Sequence, residues 1–143
     1  MSEVNNESPV TYPVLNDFET DVFNECYPAM SSVVPEGNFR GEYVPEPESF
    51  PLCTLIRMDS IPDWRRQSTG DTEDLTVDTY EAHAYALSME ECKTVMNTLA
   101  AKMMSMNFHR ITMRPVLNGN DLSVSQIVAR FEHRIDANGV MYR

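Results

Sequence analysis

The sequence predicts an α+β domain: a mainly antiparallel sheet of four to five strands, two helices packed on one face, and one long projecting loop. Three observations support this fold class. Apolar residues recur at steps of three and four over residues 89–106. Short apolar runs with the alternation typical of strands lie on both sides of that segment. Asn-Gly pairs at 118–119 and 138–139 are typical of the tight turns that join antiparallel strands.

The two helices are predicted by spacing and by capping residues. Ser88 and Glu91 form an S-x-x-E capping box, and the apolar stripe behind it is as wide as expected for a helix lying on a sheet. This stripe predicts a helix over 89–106 whose methionines fill the core. Pro13, a favoured first-turn residue, precedes apolar positions that predict another helix over about 13–27.

The strands follow from period-two patterns. Residues 50–58 are apolar on both faces, as expected for a central strand. Over 77–87 the small residues Ala82 and Ala84 share one side, which would let a helix approach closely. A third strand is predicted from Ile111 to Pro115 and a fourth over 122–136. The turn at 138–139 then returns a short strand made of Val140, Met141 and Tyr142.

The length of 143 residues and the 42% apolar content fit a single domain spanning 1–143. Residues 1–9 are polar and predicted to be flexible. Residues 28–50 form a Pro-rich acidic connector that suits an extended loop or one edge strand. Residues 60–74 separate two strands by more than an ordinary hairpin loop and are predicted to project.

Negative charge is concentrated in the N-terminal 50 residues. The net charge is −11, and residues 1–50 hold ten acids against one base, Arg40. This balance argues against a nucleic-acid reader, which must neutralise phosphates with Lys and Arg. We find neither an apolar run long enough to span a membrane nor a secretory signal pattern, so we expect a soluble, cytosolic protein without membrane contact.

No residue pattern demands catalysis. Cys26, Cys53 and Cys92 stand far apart among apolar residues and are expected to be buried free thiols. The histidines at 83, 109 and 133 lack metal-ligand spacing. Glu81 with His83 and Glu132 with His133 could converge into one acid-base or metal site only if their strands pair in a suitable register. We therefore expect no enzyme, no metal and no cofactor.

The predicted loop at 60–74 holds Trp64 beside Arg65 and Arg66, and Trp with Arg is enriched where protein partners anchor. An alternative is that Trp64 folds back onto its own sheet. Both interpretations stay open from the sequence.

Several segments of the chain together resemble a family of phage proteins. They are SFPLCTLIRMD (49–59), TYEAHAYAL (79–87), MMSMNFHR (103–110), PVLN (115–118), IVARFEHRID (127–136) and MYR (141–143). This pattern resembles the tail-terminator or head-to-tail joining proteins of long-tailed bacteriophages. The resemblance covers about residues 49–143, and the acidic N-terminal part of the chain before them matches only loosely.

The resemblance implies a structural virion protein of the tail and neck, assembled in the host bacterial cytoplasm. It implies a subunit that closes into a homo-oligomeric ring, commonly a hexamer. The ring would sit on the last tail-tube subunits and present another face to the head-tail connector at the neck. Genomic DNA would pass through the lumen without specific binding.

Such a ring needs two unlike surfaces on each subunit, because a head-to-tail contact joins different patches of neighbouring copies. The candidate interface elements are the loop with Trp64, Arg65 and Arg66, then the acidic connector, then the short strand at 140–142. The surplus acids would either keep DNA from sticking to the lumen or only keep the protein soluble.

Two further functions stay open. One is a head-completion or connector protein on the portal side, which would have a similar architecture. An acidic DNA-mimic inhibitor would instead occupy the basic groove of an enzyme. An enzyme built on His83 and His133 ranks last.

Overall fold

The computed structural model describes residues 18–44, 47–62, 75–117, 123–136 and 141–142. They form two helices and six strands. In chain order these are α1 (Phe18–Met30), β1 (Phe39–Arg40), β2 (Leu52–Pro62), β3 (Leu75–Ala86), α2 (Met89–Ser105), β4 (His109–Val116), β5 (Ser125–Asp136) and β6 (Met141–Tyr142).

The strands form one sheet in the order β1-β2-β3-β5-β4, with β6 also pairing with β5. All neighbouring strands are antiparallel except β1 and β2, which run parallel. The prediction of an α+β fold with a mainly antiparallel sheet is confirmed. The long β3–β5 pair forms its centre, with Ala82 directly opposite Ala129.

Both helices pack on the same face of the sheet. Ala82 and Ala84 of β3 are fully buried beneath this layer, so their small side chains allow the close approach that the sequence predicted. Met96 and Met103 of α2 are also fully buried, and Met89 and Met106 pack partly buried against the core. Met104 is 47% exposed, so the prediction that the methionines fill the core is wrong for this residue, which lies on the solvent side of the helix. Burial of apolar area between the helices and the sheet supplies the main stabilisation of the fold.

The ends of α2 follow its local sequence. Ser88 Oγ accepts a hydrogen bond from the Glu91 backbone N–H at 3.1 Å, as the capping box predicts. The helix ends at Ser105, and Asn107 then adopts a positive φ of 72°. Asn tolerates this left-handed conformation better than most residues, so it serves as a stop after the last turn.

The structure corrects the predicted end of the first helix. α1 does not stop before Pro28 but runs through it to Met30. Pro28 has no backbone N–H to donate to the carbonyl one turn earlier in the helix. Because Pro28 is exposed, that carbonyl can face water, whereas the side chain of Met30 is fully buried. Core packing of Met30 therefore outweighs the local cost of the proline. Residues 13–17 of the predicted helix lie outside the described residues.

Several strands are longer than predicted. β2 continues to Pro62 and β3 begins at Leu75, so residues 60–62 are strand and not loop. The rest of the predicted loop, 63–74, lies outside the described residues, as do residues 1–9. Within the 28–50 connector, β1 is the expected edge strand. β4 also begins two residues earlier than predicted, at His109.

Candidate interaction surface

The face of the sheet opposite the helices carries a group of polar side chains from β3 and β5. Because successive side chains alternate, Glu81 and His83 point away from the helices that cover Ala82 and Ala84. Neither α1 nor α2 covers this face. We call it the open face.

Four side chains form a hydrogen-bonded row across the middle of the open face. Gln126 Nε2 donates to His83 Nδ1 at 2.9 Å, and His83 Nε2 donates to Glu81 Oε1 at 2.8 Å. Arg130 Nε completes the row with a 3.0 Å bond to Glu81 Oε2. The register explains the last contact, because Glu81 and Arg130 lie directly opposite each other in the β3–β5 pair.

The row lowers the pKa of Glu81. Partial burial raises the pKa of Glu81, but the hydrogen bonds from His83 and Arg130 outweigh it and lower that pKa below 4.5. Glu81 is therefore ionised at neutral pH. With the Gln126 amide nitrogen donating to Nδ1, it is the hydrogen on Nε2 that faces Glu81.

Beside this row the open face has a shallow depression of about 450 Å³ between β2 and β4. It is lined by charged side chains of both signs and by exposed apolar ones, namely Arg114, Arg130, Asp59, Glu81, Met58 and Ile111. Its mixed charged and apolar lining suits contact with another protein surface, where apolar anchors and Arg are enriched.

The opposite end of the open face is covered by the acidic connector. Leu52, Tyr85 and Val124 form a small buried apolar cluster there, and Val44 and Phe50 pack against it. The connector therefore covers the end of the face at Tyr85 and leaves the end with the depression exposed.

A separate polar cluster lies on the helix-covered face. Asp78 is fully buried; it accepts a hydrogen bond from Thr76 Oγ1 at 3.2 Å and pairs with Arg57 Nη1 at 3.6 Å. Arg57 also reaches Glu19 of α1 at 3.9 Å. Arg57 therefore links Asp78 of β3 to Glu19 of α1 across the helix-covered face.

The possible acid-base site is not assembled. His133 lies opposite Asp78 on the helix-covered face, whereas His83 lies on the open face, so the sheet separates the two imidazoles. Glu132 follows the same alternation and points away from His133. Within the part of the chain that the structure describes, no group of three His, Cys, Asp or Glu side chains could hold a metal ion.

The three cysteines are free and buried, as predicted. Burial raises the pKa of the Cys26 thiol to about 12 and that of Cys92 to about 11, and it raises the pKa of Cys53 further still. The thiols therefore stay protonated and behave as small core side chains.

The structure places two of the three predicted interface elements at opposite ends of the sheet. The acidic connector forms the edge at β1. Met141 and Tyr142 form β6, which pairs with β5 on the same side as β4 and so extends the other edge. Trp64, Arg65, Arg66 and Val140 lie outside the described residues.

Sequence reasoning missed Gln126, Arg130 and Arg114 as surface residues of interest. A signal was present for the last of these, because HRITMRPV in β4 holds two arginines and a histidine but no acid. The row through Gln126 depends on the β3–β5 register, which is not readable from either strand alone.

Comparison with protein-family models and with curated proteins gives no match to this chain. Among the helices of the described ranges, none has the length and apolar character needed to cross a membrane.

Proposed function

We propose that this chain is a structural subunit of a bacteriophage tail, a tail terminator that forms a ring on the end of the tail tube and joins the tail to the neck. One observation carries the proposal beyond the sequence resemblance. The single sheet ends in two different edges, β1 at one end of the strand order and β4 at the other. A subunit of a closed ring needs two such unlike surfaces, one for each neighbour.

The proposed mechanism is occupancy without chemistry. The ring covers the growing end of the tube and denies the next tube subunit its docking surface. Its other side then offers a matching surface to the connector on the filled head, and genomic DNA passes through the opening. The buried, protonated thiols and the separated histidines take no part in this mechanism.

The test is to add the purified chain to tail-tube subunits during tube assembly and to image the products by electron microscopy. We expect tubes that stop growing and carry an extra ring at one end. A heat-unfolded sample of the same chain is the control. Tubes of unchanged length without added rings would contradict the proposal.

Binding assays with isolated portals and with a basic DNA-binding protein separate the alternatives. Binding to isolated portals but not to tubes would favour a head-completion protein. Salt-sensitive binding to a basic DNA-binding protein, with no effect on tubes, would favour a DNA mimic.

A further inference from the structure

The two edges of the sheet carry opposite charge. We define the acidic edge as β1 with residues 36–44 and 47–49, where Glu36, Glu42 and Glu48 are exposed and Arg40 is the only base. We define the basic edge as residues 109–117, namely β4 and the following Leu117. It exposes His109, Arg110 and Arg114 and contains no acid.

The acidic edge is held rigidly to the sheet. The side-chain amide of buried Asn38 donates from Nδ2 to Pro51 O at 2.9 Å and to Ser49 Oγ at 3.0 Å. The backbone carbonyl of Asn38 accepts from the Cys53 N–H at 2.9 Å. Phe39 stacks on Phe23 of α1 with ring centroids 4.5 Å apart. Asn38 and Phe39 therefore anchor this edge to β2 and to α1, and such anchoring lowers the entropy cost of docking.

Both edges also expose large apolar side chains. Tyr43 is 66% exposed at the acidic edge, and Ile111 and Leu117 are 47% and 83% exposed at the basic edge. Among the described strands, β4 pairs only with β5, so the other side of β4 presents backbone groups of an edge strand. Each edge thus combines apolar area with charge of one sign.

We propose that the acidic edge of one copy docks on the basic edge of a second copy. The inference rests on the proposed ring and names the surfaces that meet in it. In a two-fold dimer, an edge would pair with the same edge of the second copy and bring like charges together. Like-charge contacts across an interface are costly. Opposite charge on opposite edges therefore selects the head-to-tail contact, which is the one that builds rings.

The charges of β4 have a second physical use, since Arg and Pro on an edge strand also discourage uncontrolled strand pairing. The two uses differ in one respect. Edge protection needs charge of either sign, whereas docking needs opposite signs on the two edges. Reversing the sign of one edge, and then of both, separates them.

The experiment uses the full chain in five forms. They are the wild type, the acid-reversed variant E36K/E42K/E48K, the base-reversed variant R110E/R114E, the variant that combines all five changes, and the control K93E/K102E. The control places the same charge change as the base-reversed variant on the helix side of the molecule. Circular dichroism checks the fold of each, and sedimentation equilibrium at low and at physiological salt gives the dissociation constant of self-association.

We expect each single-edge reversal to weaken self-association roughly tenfold or more, and the combined variant to recover it. The control should associate like the wild type, and added salt should weaken the wild-type contact. If a reversed variant fails to fold, E36Q/E42Q/E48Q and R110Q/R114Q replace it, and each should lose much of the salt dependence.

Two results would overturn the inference: single-edge reversals that leave the dissociation constant unchanged, or a loss that the combined variant does not recover. These differ from failure of the proposed function. If the wild type forms rings and the charge-reversed variants form them equally well, the edge pairing alone is refuted. A wild type that pairs by its edges but never caps tubes refutes the tail role alone.

Discussion

The imidazole ring of His133 lies against the phenyl ring of Phe108, with ring centroids 3.8 Å apart and the planes tilted by 31°. His133 is only 1% exposed, and among the described residues neither ring nitrogen has a hydrogen-bond partner. Burial lowers the pKa of His133 to about 4, although the nearby Asp78 carboxylate acts in the opposite direction. The ring is therefore neutral in the folded protein at physiological pH.

Because His133 is buried as a neutral ring, we predict that the folded protein loses stability in weak acid. Between about pH 6.5 and pH 4 the unfolded chain binds a proton at His133 and the folded chain does not, so the free energy of unfolding falls as the pH falls. The loss is on the order of 3 kcal/mol across that window and stops below pH 4. Urea unfolding of the wild type and of His133→Leu at several pH values measures it.

His133→Leu should flatten the pH dependence between pH 6.5 and 4. His109→Ala, at an exposed position of β4, is the matched control and should keep the wild-type slope. Equal slopes for the wild type and His133→Leu would refute the assignment.

A second prediction concerns the ion pair between Glu81 and Arg130. Arg130 is about half exposed, so solvent screens the pair and we expect a coupling energy of about 0.5 kcal/mol at pH 7. Because the pKa of Glu81 is lowered by folding, this stability is present above its unfolded pKa and is lost as the pH falls through the folded value. A double-mutant cycle with Glu81→Gln and Arg130→Ala, measured at pH 7 and at falling pH for as long as the protein stays folded, tests both statements. Coupling that is absent at pH 7, or that grows as the pH falls, would contradict them.

A third prediction concerns the close contact between β3 and α2. Ala84 is fully buried, and its carbonyl accepts a hydrogen bond from Cys92 Sγ at 3.1 Å. Ala84→Leu forces extra volume under the helix and should cost about 1–3 kcal/mol in chemical denaturation. Val77→Leu, at a half-buried position on the other face of β3, should cost clearly less. Equal costs at the two positions would mean that the helix does not lie tightly on the strand.

A fourth prediction concerns Trp64. If it anchors a neighbouring subunit, Trp64→Ala should weaken ring formation or tube binding by about 2 kcal/mol or more, as interface hot spots do. The melting temperature of the monomer should barely move. A large fall in monomer stability would instead place Trp64 in the core of its own subunit.

The parts of the fold that depend on local signals could be predicted from the sequence. The capping box at Ser88, the helix behind it and the inward alanines of β3 follow from neighbouring residues along one segment. The passage of α1 through Pro28 could not be predicted, because burial of Met30 against distant residues decides it. The parallel pairing of β1 with β2 likewise depends on contacts far apart in the chain.

The candidate surface was harder to predict for the same reason. The sequence marked the acidic connector and the strand at 140–142 as interface elements, but only the strand order places them at opposite edges. The separation of His83 from His133 follows from the alternation of side chains in the paired strands. That pairing brings Glu81 to Arg130 and leaves the two histidines on different faces.

The most direct test of the account is native mass spectrometry of the purified chain over a range of concentrations. The account predicts a closed oligomer of one defined size, an integral multiple of the 16.3 kDa subunit, that grows in abundance with concentration. A chain that stays monomeric at every concentration, alone and with tail tubes present, would contradict it.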